Sequence, residues 1–293
     1  MKIAVFGSSV QQKFIPVLQE FFSYLHENQV EIYLYAPFHD FLAEELKYVP
    51  PFSGLYTSHT DFTGDARFIF SIGGDGTFLH SFRTIRHFDI PVVGINSGRM
   101  GFLADISKGE VIEALSNLLD GNYVVTERSL LEVSFNGAPN FEFNYALNEM
   151  TVLKTDTSSM INIQAWANGD FLNSIWADGL IIATPTGSTA YSLSVGGPIL
   201  TPDSENFVIT PIAPHNLTVR PIVIPDHYKV LLKVEGRGNQ YLTSLDSQSV
   251  NVNLSTTISI KKAGFKLKTL HLPGQTFFHT LRSKLMWGAD KRN

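Results

Sequence analysis

The chain has 293 residues, 44% of them hydrophobic and 17% charged, which is typical of folded globular proteins and excludes disordered or fibrous classes. Its net charge of -5 offers no basic footprint for a polyanion, so we expect no nucleic-acid partner. The absence of cysteine excludes disulfides, a thiol nucleophile and Cys-based zinc sites. The length predicts two domains.

The amino terminus and the longest apolar runs indicate neither export nor membrane insertion. The apolar stretch at residues 1–7 is too short for a signal peptide, and polar residues follow it at once. No run approaches the roughly 20 apolar residues of a membrane span. We therefore expect a cytoplasmic protein without a membrane partner.

Strand-like and helix-like patterns alternate over the first part of the chain, as in a doubly wound, mostly parallel sheet. Pro16 should kink or delay the first helix. The pattern predicts strands at residues 2–6, 30–35, 68–72 and 91–95, and helices at residues 10–26, 41–48, after Asp75, and at 111–119.

After Gly121 the pattern changes to strands separated by turn residues, with hairpin turns at residues 168–170 and 236–239. This half is therefore predicted to be β-rich, and the whole chain α+β, with a boundary near residue 125. A final amphipathic helix is predicted at residues 276–287. The predicted strands are residues 130–135, 141–147, 161–167, 171–176, 180–183, 229–235 and 250–261.

The turn at residues 73–77, Gly-Gly-Asp-Gly-Thr, lies between a strand and a helix. Glycines let the backbone approach a ligand closely, and the N–H groups that open a helix favour negative charge. The turn therefore suits phosphate handling with Asp75 as an acid or base. An ordinary tight turn is the alternative interpretation.

Two further segments carry polar groups at strand ends. Residues 178–198 run from a strand into a stretch rich in hydroxyls and glycines, which either binds a polar ligand or is a loop without one. It is neither a Walker loop nor a dinucleotide fingerprint. Asn148 and Glu149 interrupt a strand, and taken alone they read as solvated strand-end residues.

Together, residues 73–77, Asn148-Glu149 and residues 178–198 closely resemble the NAD kinase family over nearly the whole chain. The first segment is less specific, because lipid kinases carry a similar one. The resemblance implies three parts: an α/β domain at 1–125, a β-rich NAD-binding domain at 126–270, and a tail helix at 271–293 that returns to the first domain. It also implies a homodimer or homotetramer.

The activity implied by the resemblance is transfer of the ATP γ-phosphoryl group to the adenosine ribose 2′-hydroxyl of NAD, giving NADP. ATP and NAD are then the partners, and a divalent cation, Mg²⁺, is expected without any side chain predicted as its ligand. Asp75 is the expected general base. The expected binding residues are Gly74, Asp75, Gly76, Thr77, His80, Asn148, Glu149, Asp178, Thr186, Thr189, Ala190, Tyr191, Ser192, Leu193, Ser194 and Gln248.

Two positions are not settled by the resemblance: His80 has two interpretations, and Trp176 departs from the family pattern. His80 either touches a phosphate or is a helix-surface histidine, at a place where many relatives carry a basic residue. Trp176 stands where many relatives have Arg or Lys, so a phosphate contact is lost there or replaced by stacking. Two other functions stay open: a lipid kinase of the diacylglycerol or sphingosine type, and a non-catalytic NADP(H)-binding sensor.

Overall fold

The protein is described by a computed structural model that covers residues 1–61, 64–86, 89–98, 101–137, 141–155 and 159–287. The chain divides into two compact units. The first consists of Met1–Glu127 together with the chain from Leu267 onward, and the second is Arg128–Lys266.

A parallel sheet with connecting helices forms the first unit. The strands follow the order β5-β4-β1-β2-β3, and every neighbouring pair is parallel, which confirms the predicted α/β class. The elements are β1 (Lys2–Gly7), α1 (Ile15–Glu27), β2 (Glu31–Tyr35), α2 (Ala36–Glu44), β3 (Gly54–Tyr56), β4 (Phe68–Gly73), α3 (Asp75–Ile85), β5 (Val92–Asn96) and α4 (Val111–Leu119).

Prolines decide where the first two helices begin. A short 3-10 turn precedes α1, which begins at Ile15 with Pro16 in its first turn, where no N–H is needed. The delay is as predicted. The α2 prediction at residues 41–48 was wrong by about a turn, because the helix begins at Ala36 with a proline in its first turn. The three-residue strand β3 was not predicted.

The second unit is β-rich, as predicted. One antiparallel sheet has the order β13-β12-β11-β8-β15-β16, and in a second group β9 pairs with β10 and β14, and β14 with β17. The remaining elements before the final helix are β6 (Val124–Asn136), β7 (Tyr145–Ala146), β8 (Glu149–Lys154), β9 (Ile161–Ala167), β10 (Asp170–Ala177), β11 (Gly179–Ala183), α5 (Tyr191–Ser194), β12 (Asn206–Ile212), β13 (Ile222–Pro225), β14 (Val230–Glu235), β15 (Gln240–Leu245), β16 (Gln248–Asn253) and β17 (Thr257–His271). The first residues of β6 and the last residues of β17 belong to the first unit.

Several strand predictions were wrong in detail. The expected strand at residues 141–147 shrinks to β7, and β8 begins at Glu149, where the sequence predicted an interruption. The expected strand at 250–261 divides between β16 and β17. Strands β12, β13 and β15 were not predicted. Pro211 of β12 is tolerated because β13 pairs only with residues 206–209.

The final helix, α6 (Phe277–Leu285), belongs to the first unit. The hydroxyl of Thr276 caps it by accepting the N–H of His279 at 3.2 Å. The Phe277 ring lies 6.3 Å from that of Phe102, centroid to centroid. No helix in the described part of the chain is long and apolar enough to cross a membrane.

Candidate active site

The turn between β4 and α3 leaves backbone N–H groups open. Strand β4 ends at Gly73, and Gly74 is the N-cap of α3 without any side-chain cap. The N–H groups of a first helical turn have no partner inside the helix. A Cβ at Gly74 or Gly76 would meet nothing within 4 Å. Open N–H groups beside open space make a site suited to an anion such as phosphate.

Asp75, the first residue of α3, is held by the backbone of a distant loop. The donors are the N–H groups of Phe102 (2.9 Å to Oδ2), Leu103 (3.0 Å to Oδ1) and Ala104 (3.1 Å to Oδ1). A Cβ on Gly101 would lie 1.8 Å from Oδ1, so any other residue there would displace the Asp75 carboxylate. The carboxylate is therefore fixed in position and orientation.

One oxygen of Asp75 keeps capacity for a further hydrogen bond. An ionised carboxylate has about four acceptor sites, and the three N–H groups occupy two on Oδ1 and one on Oδ2. Lys284 of α6 brings its Nζ to 3.6 Å from Oδ2. The Asp75 side chain is 31% exposed, so this oxygen is accessible to a substrate hydroxyl.

A buried carboxyl–imidazole contact supports the loop that holds Asp75. Next to Ala104, Asp105 places Oδ2 2.7 Å from Nδ1 of His271 at the end of β17. Nε2 of the same imidazole lies 3.1 Å from the Thr126 hydroxyl. Sequence reasoning missed this loop. The available signal was the glycine spacing Gly98-x-x-Gly101 directly after β5.

The two other predicted side chains near this turn have protein partners. The Thr77 hydroxyl lies 3.0 Å from that of Ser8. His80 packs its ring against Phe6, edge to face at 5.2 Å. Burial, with a smaller contribution from the charge of Arg83, lowers the pKa of His80, so at neutral pH its imidazole is uncharged. The geometry favours the packing interpretation of His80 over the phosphate contact.

A similar carboxylate holds the start of β8 in the second unit. Asp246, in the turn between β15 and β16, has a left-handed φ of 50°. It accepts the N–H groups of Leu147 (2.8 Å), Asn148 (2.9 Å) and Glu149 (3.1 Å). The predicted pair Asn148-Glu149 is thus held at the point where β8 begins. Asp246 was not among the predicted site residues.

Glu149 is a buried carboxyl with an incomplete set of partners. Burial first, and then the charge of Asp246, raise its pKa to about 8, against a hydrogen bond from the Tyr191 backbone that lowers it. Its Oε2 is buried and has no hydrogen-bond partner among the described residues. An unpartnered buried oxygen of this kind is typical of a ligand site.

The hydroxyl-rich segment packs directly on Asn148. The N–H of Thr184 donates to the Asn148 carbonyl at 2.9 Å, and a Cβ on Gly187 would lie 2.0 Å from that oxygen. Gly187 is therefore required for this contact. The Thr186 hydroxyl oxygen is buried without a partner in the described part of the chain. Thr186, Asn148 and Glu149 are brought together.

Not every predicted hydroxyl is open to a ligand. The fully buried Ser192 places its hydroxyl 2.9 Å from that of Thr210, which leaves only its backbone for a ligand. Thr189 donates to the Thr186 carbonyl at 3.1 Å. Tyr191 and Ser194 are exposed on α5, and Ala190 and Leu193 are half-buried beside them.

Asp178 is not part of this cluster. It precedes β11, whereas the hydroxyl-rich segment follows Ala183, so about four strand steps or roughly 13 Å separate the two ends. Its Oδ1 pairs with Lys154 Nζ at 2.6 Å. Trp176, the departure from the family pattern, is exposed in β10. Gln248 begins β16 and donates from Nε2 to the Phe143 carbonyl at 3.2 Å.

The side chains of the described residues do not form a metal cage. No group of three or more His, Asp or Glu that could hold an ion occurs among the described residues. The three backbone N–H groups on Asp75 also take up most of its acceptor capacity.

Two family models and several full-length relatives match this chain. The ATP-NAD kinase N-terminal domain matches residues 12–123, and the ATP-NAD kinase C-terminal domain matches residues 147–272. The NAD kinase of Flavobacterium johnsoniae is 46% identical, and that of Bacteroides fragilis 44%, each with 100% of both chains covered.

Two solved structures are similar. An NAD kinase from Archaeoglobus fulgidus in complex with ATP has a TM-score of 0.73 and 26% identity, covering 98% of this chain and 99% of that one. Yeast NADH kinase complexed with NADH shares the fold, with a TM-score of 0.85 and 20% identity over 99% of this chain and 88% of that one. By family models and full-length relatives, the chain belongs to the NAD kinase family.

Proposed function

We propose that this chain transfers the γ-phosphoryl group of ATP to the adenosine ribose 2′-hydroxyl of NAD, giving NADP and ADP. The observation that carries the proposal is the carboxylate of Asp75, held by three backbone N–H groups at the open start of α3. Relatives of full length at 41–46% identity are named NAD kinases. The Archaeoglobus relative was solved with ATP.

In the proposed reaction, Asp75 orients the ribose hydroxyl and takes its proton on Oδ2, the oxygen with an acceptor site left. A bond forms between the ribose 2′-oxygen and the γ-phosphorus. The bond from that phosphorus to the β–γ bridging oxygen breaks, and its electron pair leaves on ADP. Phosphoryl transfer has a loose transition state, so late proton acceptance by a weak base suffices.

The start of α3 binds the phosphates of ATP. Its first N–H groups are free by helix geometry, and Gly74 and Gly76 leave room for close approach. When bound with ATP, Mg²⁺ neutralises part of the phosphate charge. The residues at this turn bind and orient the nucleotide.

The second unit binds NAD around the start of β8. Glu149 and Asn148 offer acceptors for ribose hydroxyls or an adenine amine, and the buried Thr186 hydroxyl offers a further group. Thr189, Ala190, Tyr191, Leu193, Ser194, the Ser192 backbone and Gln248 complete the proposed NAD site. Asp178 precedes β11, whereas Thr186 follows it, so Asp178 would contact NAD from the other end of this strand.

The homodimeric or homotetrameric state and the cytoplasmic location remain predictions. Light scattering coupled to gel filtration of the purified chain measures the mass of the particle directly. A mass of one chain, 32.6 kDa, would contradict the oligomer prediction.

The test of the function is to incubate the purified protein with ATP, Mg²⁺ and either NAD or diacylglycerol, and to assay each product. We expect NADP and no phosphatidic acid. Binding of NADP(H) without turnover would support the sensor, and phosphatidic acid the lipid kinase.

The test of the general base is Asp75→Asn, with Asp40→Asn of the exposed α2 carboxylate as control. We expect NADP formation to fall by about 10²-fold or more in the first variant, since general-base catalysis is usually worth that much. Thermal melting checks that the variant is folded. A loss below about tenfold in a folded Asp75→Asn protein would remove Asp75 from the role of base.

A further inference from the structure

The carboxyl-terminal helix brings a cation to the oxygen of Asp75 that is proposed to take the proton. Lys284 lies in the last turn of α6, and its Nζ is 3.6 Å from Oδ2 of Asp75. The same ammonium lies 4.6 Å from the centre of the Phe102 ring. Phe102 therefore contacts both groups, because its N–H also donates to Oδ2.

The distance between Lys284 and Asp75 is longer than in the close ion pairs of this chain. Lys154 and Asp178 approach to 2.6 Å, whereas 3.6 Å is beyond the usual length of a charge-assisted hydrogen bond. Asp75 does not depend on the lysine, since backbone N–H groups already hold both carboxylate oxygens. No hydrogen bond from Lys284 occurs within the described residues.

The ammonium of Lys284 is thus held in place, and its N–H donors remain available to a ligand. The Phe102 ring face attracts the cation and restricts the side chain, which is 30% exposed. A partly desolvated lysine whose three N–H donors have no hydrogen-bond acceptor in the described part of the chain suits an anion with several oxygens. The open start of α3, beside Asp75, suits the same kind of ligand.

We propose that Lys284 is a phosphate-binding residue of the phosphoryl-transfer site, contributed by the carboxyl-terminal helix. Its ligand is a non-bridging oxygen of the phosphoryl group that moves from ATP. Negative charge spreads over these oxygens in the transition state, and a fixed cation beside them stabilises it. The assignment rests on the proposed kinase function.

The test compares two variants of Lys284 with a control on the same helix. Lys284→Met removes the charge and keeps the apolar stem against Phe102, and Lys284→Arg keeps a charge. Arg282→Met is the control, because Arg282 is exposed and two residues away on a helix, so it lies on another face. Steady-state constants are measured for ATP and NAD separately, with thermal melting as the check on folding.

We expect Lys284→Met to lower kcat/KM for ATP by about 10²-fold, as loss of a preorganised transition-state donor does. The KM for NAD should stay within about threefold, Lys284→Arg should recover part of the activity, and Arg282→Met should match the wild type. A loss under about threefold in folded Lys284→Met, or an equal loss in both Lys284 variants, would overturn the proposal.

The outcome for Lys284 is separable from the outcome for the function. If the wild-type protein forms no NADP, the kinase function fails. Calorimetry of MgATP binding to the wild type and to Lys284→Met then still tests the phosphate contact. Equal affinities for MgATP in the two proteins would reject it, and weaker binding by Lys284→Met would support it.

Discussion

Two carboxylates in different units of this protein each accept three consecutive backbone N–H groups, but they serve different proposed functions. Asp75 accepts the N–H groups of residues 102–104, and Asp246 those of residues 147–149. In the first unit the carboxylate itself is the proposed functional group, because it stays accessible beside Lys284. In the second unit the held strand carries the proposed groups, Asn148 and Glu149.

The difference between the two units is where the chemistry lies relative to the holding carboxylate. In the first unit, the N–H groups of a fixed loop orient the Asp75 carboxylate, which is itself the proposed functional group. In the second unit, the Asp246 carboxylate orients the start of β8. Its negative charge next to Glu149 also helps to raise the Glu149 pKa to about 8. The same three hydrogen bonds can therefore present either partner to a ligand.

The largest expected effects come from replacing each of the two carboxylates, Asp75 and Asp246, by its amide. Both variants lose a charged acceptor of three N–H groups, and an unsatisfied buried donor costs about 1–3 kcal/mol of stability. We expect Asp75→Asn to lose kcat by about 10²-fold beyond any effect on folding, whereas Asp246→Asn raises the KM for NAD with kcat lowered less.

Initial rates of NADP formation over a range of NAD concentrations, together with thermal melts, separate the change in kcat from the change in the KM for NAD. If Asp246→Asn loses kcat as severely as Asp75→Asn while its KM for NAD is unchanged, the proposed difference between the two carboxylates is wrong. Asp246 would then act in the chemical step and not only as a support for the start of β8.

A second contrast uses the glycines packed against the two held segments. An alanine Cβ at Gly101 would overlap Asp75, and one at Gly187 would overlap the Asn148 carbonyl. We expect Gly101→Ala to lower kcat and Gly187→Ala to raise the KM for NAD, each by about tenfold or more, since small misplacements at a site are costly.

Gly109→Ala is the matched control, because a Cβ there meets nothing within 4 Å. The same kinetic constants are measured for all three proteins. An unchanged kcat in Gly101→Ala would show that Asp75 can move without loss and would weaken its role as an oriented base.

The smallest effect concerns the ionisation of Glu149. Its pKa is about 8 in the folded protein against an ordinary value of 4.5 for a glutamate carboxyl, so between these values the folded state binds more protons than the unfolded state. Stability without ligand therefore falls as pH rises across that range. NAD hydroxyl or amine donors need the ionised form, so NAD affinity rises with pH until about 8.

Calorimetry of NAD binding from about pH 7 to about pH 9 tests this, with about a tenfold gain expected across the range. Glu149→Gln should remove both the gain in affinity and the loss of stability, and Glu205→Gln of an exposed carboxyl should change neither. An NAD affinity that does not vary with pH in the wild type would contradict the ionisation of Glu149 on binding.

Much of the first unit could be predicted from the sequence because its signals are local. The fully buried run of β4, the glycines after it and the helical spacing from Phe78 lie within a few residues of one another. Asp75 at the start of a helix follows from that pattern alone. In the second unit, only the resemblance to a family singled out Asn148 and Glu149, since a strand-end polar pair is unremarkable by itself.

What the sequence determined by itself is the alternation of elements, the position of Asp75 and the family. The tertiary structure decided which atoms surround those residues: the loop at 102–104 on Asp75, Lys284 beside it, Asp246 at the start of β8 and the burial that raises the Glu149 pKa. Local periodicity reports only which face of an element is apolar. Hydrogen bonds between segments about a hundred residues apart, and the desolvation of a carboxyl, arise only when those segments pack together.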